Sequence, residues 1–467
     1  MRSMPHLSLR CLVLFLVALL SAGCASHLPP LNTSGQAFTP APDEALLWER
    51  ATREHRKLSV SSGLLRDPVL EEYLVDVAHR LLPPGTLDAG VSPSIHVLIN
   101  PSLNAFAYPT GAIYVHSGLL ARLENEAQLA TVLAHEIAHI VHRHAIRHLR
   151  EERNKDLWKR IAVVTAPLVL GPLLAPLGIS VSGTNPAILL QRPSVEYFLS
   201  DQALDSSLDL AARRPSRGRF DQTIALFART QPKLALLASV QSYQPSLMGE
   251  ADRFTIAALV RAGYDPEEAD RTLARLHAAA SSQVGQEPFW WGRPTVYEAR
   301  RRALQKAIAA LPPSANGRVQ QVSRVDPYPE RIRLLLRENA LVELKIGRTD
   351  EAIGQLDRAL SLHPNDPVAH YYRGRAYAAK AGNADGLQQA IAAYITATQV
   401  DADFAEAYRE LAMTYTKLGD ADRASEARQT YLSLRGEMAF FPITGLNGLG
   451  IGPLPAVRLG ATELRPQ

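Results

Sequence analysis

The sequence is short of cysteine: Cys11 and Cys24 are the only two in 467 residues. Two thiols cannot build a disulfide framework or a thiolate zinc site, which excludes both as sources of stability or metal chemistry. An excess of charge is also missing, with 50 Lys+Arg against 46 Asp+Glu. Phosphate binding wants a concentrated basic surplus, so no nucleic acid is expected as partner despite a pI near 9.0. Aromatic residues are sparse at 6%, yet a hydrophobic share of 46% is too high for a disordered chain. At roughly 100–200 residues per domain, the length leaves room for two or more domains with buried cores.

The N-terminus accounts for both thiols. Arg2 and Arg10 form a basic start, residues 11–20 read CLVLFLVALL, and Ser21-Ala22-Gly23-Cys24 follows. A basic start, a short apolar run and small residues make a secretory signal, too short to span a bilayer comfortably. The small residues before Cys24 resemble a bacterial lipoprotein box, although Leu is more usual where Ser21 stands. That resemblance implies a signal peptide at 1–23, removed in the mature protein, and a lipid on Cys24. Ala25, rather than Asp, then favours the periplasmic face of the outer membrane in a bacterial envelope. A plain signal peptide or signal anchor is the alternative.

Residues 24–43 are rich in Pro, Ser and Thr and read as a tether that lifts the domain off the membrane. Helical periodicity runs from about Glu44 to Pro83, followed by strand patterns at 94–100 and 111–116 joined by a loop with Pro109 and Gly111. Asn125, with Gln128 three residues on, marks a helix start. Residues 161–181 form a 21-residue run without charge, long enough to span a membrane. Pro167, Pro172 and Pro176 argue instead for a buried or membrane-grazing segment.

Beyond Pro327 the pattern changes. Gly347, Gly382 and Gly419, each preceded by a Lys two residues earlier, recur at intervals of 35 and 37 residues. An Ala-bearing helical stretch follows each, which resembles tetratricopeptide repeats over 328–436, a fold that offers a groove to proteins or peptides. An unrelated stack of helical hairpins is the alternative. Residues 437–467 are a Gly/Pro-rich tail without a period.

The chemistry sits in His135-Glu136-Ile137-Ala138-His139. Residues four apart share a helix face, so both imidazoles can converge on one metal ion, here Zn2+. Glu136, about 100° round the helix, can serve as general base. Leu129, Val132, Leu133 and Ile140 continue the apolar period around them. Residues 104–120 (NAFAYPTGAIYVHSGLL), 129–144 (LATVLAHEIAHIVHRH) and 249–269 (GEADRFTIAALVRAGYDPEEA) together resemble the CAAX-prenyl-protease/HtpX-type zinc metallopeptidases. They resemble more narrowly the periplasmic lipoprotein branch with C-terminal tetratricopeptide repeats.

The resemblance implies an α+β, mostly helical chain: a zincin-like metallopeptidase domain with a small sheet over 44–310, then an α-solenoid of repeats. It implies that His135 and His139 bind zinc, that Glu136 polarises water, and that Asp252 supports a ligand histidine from behind. The loop from Asn104 to Gly111 and the strand after it would pair with an extended peptide. Substrates would be unfolded or misassembled envelope proteins, the repeats would meet the outer-membrane protein assembly machinery, and the lipid would hold the membrane.

Two positions depart from that family. Its third ligand is a Glu four residues before the Asp, where this chain has Met248, and Arg293 stands where a His is usual in PFWWGRP at 288–294. A thioether is a poor zinc ligand. Glu250 is the nearest carboxylate and the expected substitute, with Glu196 and Asp201, in an insertion at about 183–238, as alternatives. His142 and His144 are read as hydrogen-bonding or solvated groups. A metalloendopeptidase is therefore expected, with a catalytically weakened chaperone or adaptor as the second reading. A purely structural repeat protein would leave the ordered peptidase motifs unexplained.

Overall fold

The computed structural model describes residues 28–31, 38–60, 63–86, 92–154, 245–281, 294–312, 326–381 and 384–435. Residues 1–27, the apolar run at 161–181, the region 183–238 with Glu196 and Asp201, Arg293 and the tail from 437 lie outside them. No described helix is long and apolar enough to cross a membrane. The described chain is mostly helical with one small sheet, as expected from the sequence.

Two helices precede the sheet. Helix α1 (Pro42–Ser59) has Pro at its first position, Asp43 and Glu44 in its first turn, and Arg56 and Lys57 in its last. That charge order complements the helix dipole. In α2 (Pro68–Leu81) the Asp67 side chain caps the start by accepting from the Leu70 N–H at 3.1 Å.

The sheet has three strands, β1 (Ser94–Leu98), β2 (Ala105–Ala107) and β3 (Ala112–His116), in the order β1-β3-β2. β1 runs parallel to β3, with His96 opposite Tyr114, and β2 runs antiparallel, with Phe106 opposite Tyr114. Side-chain alternation splits the faces. Ile95, Val97, Ala105, Ile113 and Val115 enter the main core. Leu98, Phe106, Tyr108 and Tyr114 turn the other way and meet Ala51 and Leu58 of α1. β3 is bonded on both sides, so the expected pairing of that strand with a peptide substrate is corrected: the strand is interior. The Gly63 to Leu65 segment bonds along part of the far side of β1. Among the described residues the remaining edge belongs to β2. Asn104 pairs with His116 and Tyr108 with Ala112, so antiparallel alternation turns the N–H and C=O groups of Ala105 and Ala107 outward.

Helix α3 (Ser117–Arg122) then feeds α4 (Glu126–Val141). The cap expected of Asn125 is present, its Oδ1 accepting from the Gln128 N–H at 2.8 Å. Gln128 in turn accepts from the Glu124 N–H at 2.9 Å. Every residue of α4 from Gln128 to Val141 is buried. Helices α5 (Pro245–Ala262) and α6 (Glu268–Ser281) pack on it and α7 (Pro294–Ala309) packs on those two, followed by α8 (Tyr328–Arg331), α9 (Arg333–Lys345) and α10 (Thr349–Leu362).

Three carbonyls at the end of α3 accept from distant side chains. Tyr328 Oη donates to Leu120 O at 2.6 Å, Arg358 Nη1 to Ala121 O at 3.0 Å, and Arg275 Nε to Arg122 O. Ser117 Oγ donates to Asn339 Oδ1 at 2.6 Å, and Asn339 Nδ2 to Gln355 Oε1 at 2.9 Å. Satisfying buried carbonyls in this way fixes the approach to α4. Gly118 belongs to the same junction: a Cβ there would stand 2.1 Å from the Pro101 carbonyl oxygen. Since backbone cannot yield as a side chain does, Gly118→Ala is expected to cost about 3 kcal/mol. Urea unfolding of the purified chain would read the loss.

The chain divides into two compact units, Met1–Pro364 and Asn365–Gln467. In the second, α11 (Pro367–Lys380), α12 (Ala384–Val400), α13 (Ala405–Leu418) and α14 (Ala421–Arg435) pack in succession as helical hairpins. Tyr394 is buried against Gly374, whose missing Cβ would lie 2.4 Å from the ring. Two of the three recurring glycines, Gly347 and Gly419, take positive φ (81° and 80°) just past a helix end, where only glycine is unstrained. The third, Gly382, lies outside the described residues.

Candidate metal centre

Helix α4 carries the motif on its buried face. His135 and His139, one turn apart, have ring centroids 4.8 Å apart and an interplanar angle of 79°, with Glu136 buried between them in sequence. Each imidazole is fixed by its Nδ1. His135 Nδ1 lies 3.3 Å from Asp252 Oδ1 on α5. His139 Nδ1 lies 2.8 Å from His144 Nδ1. With Nδ1 engaged, the Nε2 atom of each ring is the nitrogen suited to an ion. Burial lowers the pKa of both, most of all His139, where His135 and His144 add like-charge repulsion. Both rings are therefore neutral near pH 7, as metal ligation needs. The donor chemistry fits zinc at these two positions.

Asp252 is itself held by Arg300 of α7. Arg300 Nε donates to Oδ2 at 2.7 Å and Nη2 to Oδ1 at 2.6 Å, a two-point pair, and Nη2 also stands 3.3 Å from His135 Nδ1. Burial opposes the Asp252 charge, but Arg300 beside it outweighs burial and holds the carboxyl well below its usual range. An ionised Asp252 accepts the His135 Nδ1 proton and so selects the tautomer that exposes Nε2.

Glu250 faces a different group. Its Oε2 accepts from Arg147 Nη1 at 2.7 Å and lies 3.5 Å from His144 Nε2, while Oε1 is 2.9 Å from His142 Nδ1. Burial pushes the His144 pKa down to about 3, so this ring too is neutral. The path from His139 thus runs through His144 to Glu250 and Arg147. Met248, one turn before Asp252 on the same helix face, is buried. Among the described residues no group of three His, Cys, Asp or Glu side chains is arranged to hold a metal ion.

Of two further participants, Arg300 carries no sequence signal and His144 is read there as a hydrogen-bonding or solvated group, without its partner. Arg300 lies inside Arg300-Arg301-Arg302 and is buried, whereas Arg301 and Arg302 are progressively exposed, so the run looks like a solvated helix face. His144, fully buried, follows a break at Arg143, which has φ 55°. That break ends α4 and lets His144 come back onto His139, a contact an unbroken helix would not make.

Residues 69–165 match peptidase family M48. The beta-barrel assembly-enhancing protease of Yersinia pestis is 27% identical over 263 residues, which is 56% of this chain and 43% of that one. Its Escherichia coli K12 counterpart is 27% identical over 257 residues, covering 55% and 42%. The mitochondrial metalloendopeptidase OMA1 of Arabidopsis thaliana is 41% identical over 69 residues, 15% of this chain and 13% of its own. The chain spans about four-tenths of the length of the assembly-enhancing relatives. Two buried neutral imidazoles on one helix face, inside a segment that matches a peptidase family, give the conclusion: the chain carries a peptidase family M48 domain and is homologous to the beta-barrel assembly-enhancing proteases over about half its length.

Proposed function

We propose that this chain is a zinc-dependent endopeptidase of the bacterial periplasm, lipid-anchored through Cys24 to the outer membrane, acting on misfolded or misassembled envelope proteins. The observation that carries the reading is the His135–His139 pair, with both Nδ1 atoms engaged and Glu136 buried beside it. His135 and His139 would hold the ion, with Asp252 positioning His135 and Glu250 acting through His144 on His139. When bound, zinc supplies the Lewis acidity that acidifies water and polarises a peptide carbonyl. Glu136 takes the proton of the attacking water and passes it to the leaving nitrogen. β2 lies against α4, and its outward N–H and C=O groups at Ala105 and Ala107 align an extended substrate by strand addition. The helical repeats offer a surface to substrates or to the outer-membrane protein assembly machinery.

Zinc binding to the purified full chain tests the ligand set. Glu250→Gln is expected to weaken zinc affinity about 10–100-fold, the range for removing a group that holds or supports a ligand histidine. Unchanged affinity would remove Glu250 from the site. One feature favours a second reading, a binding protein that holds unfolded chains without cutting them: buried Met248, one turn before Asp252, stands where the family resemblance puts a ligand carboxylate. A gain of zinc in Met248→Glu over a zinc-free wild type would sink the enzyme reading.

A further inference from the structure

The segment that composition reads as a loose tether is fastened at two points to the end of the active-site helix. Leu31 donates its N–H to the carbonyl of Val141, the last residue of α4, at 2.8 Å, and its side chain is buried in the main core. Arg143 Nη1 donates to the Pro29 carbonyl at 3.3 Å. Leu28 packs onto the small cluster of Leu47 and Ile146, beside Leu149. On the other side of residues 32–37, the Arg143 guanidinium covers the Phe38 ring at 4.8 Å and binds Glu44 by both Nε and Nη2. Arg150 closes a two-point pair on Asp43 at 2.7 and 2.8 Å. Residues 28–31 and 38–44 therefore meet the same stretch, 141–150.

Covalent geometry then bounds the anchor. Leu28 is four residue steps from Cys24, and a fully extended chain covers at most ~3.6 Å per step, so their Cα atoms lie within ~14 Å. A free tether of the whole 24–43 segment would reach several times farther and let the domain turn in any direction.

We infer that the face of the first unit built from residues 28–31, the first turn of α1 and residues 142–154 is seated on the lipid bilayer, with the C-terminal end of the active-site helix toward the headgroups. This rests on the reading of Cys24 as a lipidated residue. His139 is two residues from Val141, and Leu31 is seven from Cys24, so the metal centre works within a few tens of ångströms of the membrane surface.

Site-directed spin labelling of the full chain in vesicles tests this. The chain, carrying Cys11→Ala and Glu152→Cys, is purified from membranes and placed in phosphatidylethanolamine/phosphatidylglycerol vesicles with a small fraction of nickel-chelating lipid. A nitroxide on the new thiol is expected to show strong relaxation enhancement by the nickel lipid. Inserting 20 Gly/Ser residues between Ala25 and Ser26 should cut that enhancement several-fold. The same insertion between Thr33 and Ser34, in sequence between the two fastened stretches, should leave it unchanged. Enhancement indifferent to the first insertion, or lost equally with the second, would overturn the inference while leaving the anchor intact. Mass spectrometry of the N-terminal peptide reads the anchor separately, and an unacylated Cys24 would overturn both.

Discussion

Glu136→Gln is expected to fold and to load zinc as the wild-type chain does, yet to cleave denatured protein about 10²–10⁴-fold more slowly. The change keeps the shape of a buried side chain on α4 and removes only its capacity to take a proton. His135 and His139 keep their Nδ1 partners, Asp252 and His144, neither of which is changed. The effect should therefore fall on kcat with zinc content untouched, which single-turnover cleavage and elemental analysis on one preparation can separate. Equal cleavage by both proteins would remove Glu136 from the chemistry.

Arg300→Met should be the most damaging change outside the motif. It leaves the buried Asp252 carboxylate without its two-point partner, and breaking a buried pair from one side costs about 3–5 kcal/mol. Asp252 answers by taking a proton, because the cation that held its pKa down is gone. It then no longer accepts from His135 Nδ1, and the ring loses its fixed tautomer. Zinc affinity should fall about 10–100-fold in step with the thermal shift. Arg300→Lys separates the two roles: it keeps the charge but cannot reproduce the planar two-point contact. A recovered melting temperature with zinc affinity still weakened would mark Arg300 as a positioning residue rather than a stabilising one. Wild-type zinc affinity in Arg300→Met would contradict the arrangement.

The helix α4 was legible in the sequence because everything that makes it is local. Its cap at Asn125, its apolar period and the two histidines all fall within sixteen or so residues. β1 and β3 were legible for the same reason, as short apolar alternations bounded by Pro and Gly. β2 was not, since Ala105-Phe106-Ala107 is too short to show a period and becomes a strand only through its register with β3. That one strand changes the site, moving the open edge from β3 to β2.

Arg300 shows the same limit for a side chain. It acts on His135 across 165 residues of sequence, and nothing within the basic run at 300–302 distinguishes the buried member. His144 depended on a single backbone turn at Arg143 with φ 55°, which an ideal helix extrapolated past His139 does not contain. The stretch around Leu31 misled in a third way. Its Pro and Ser content suggests a free linker, whereas one buried leucine and one backbone hydrogen bond fasten it to α4. Composition reports what a segment could bury by itself and not what a neighbour offers it.

The measurement closest to the central claim is metal content and cleavage followed together on one preparation. Chelation of the purified full chain should abolish cleavage of casein, and titration with zinc should restore it in proportion up to one equivalent per chain. His135→Ala and His139→Ala should neither retain that equivalent nor regain activity. Cleavage that persists in either zinc-free variant, or a wild-type chain that folds, binds no zinc and cuts nothing, would contradict the account.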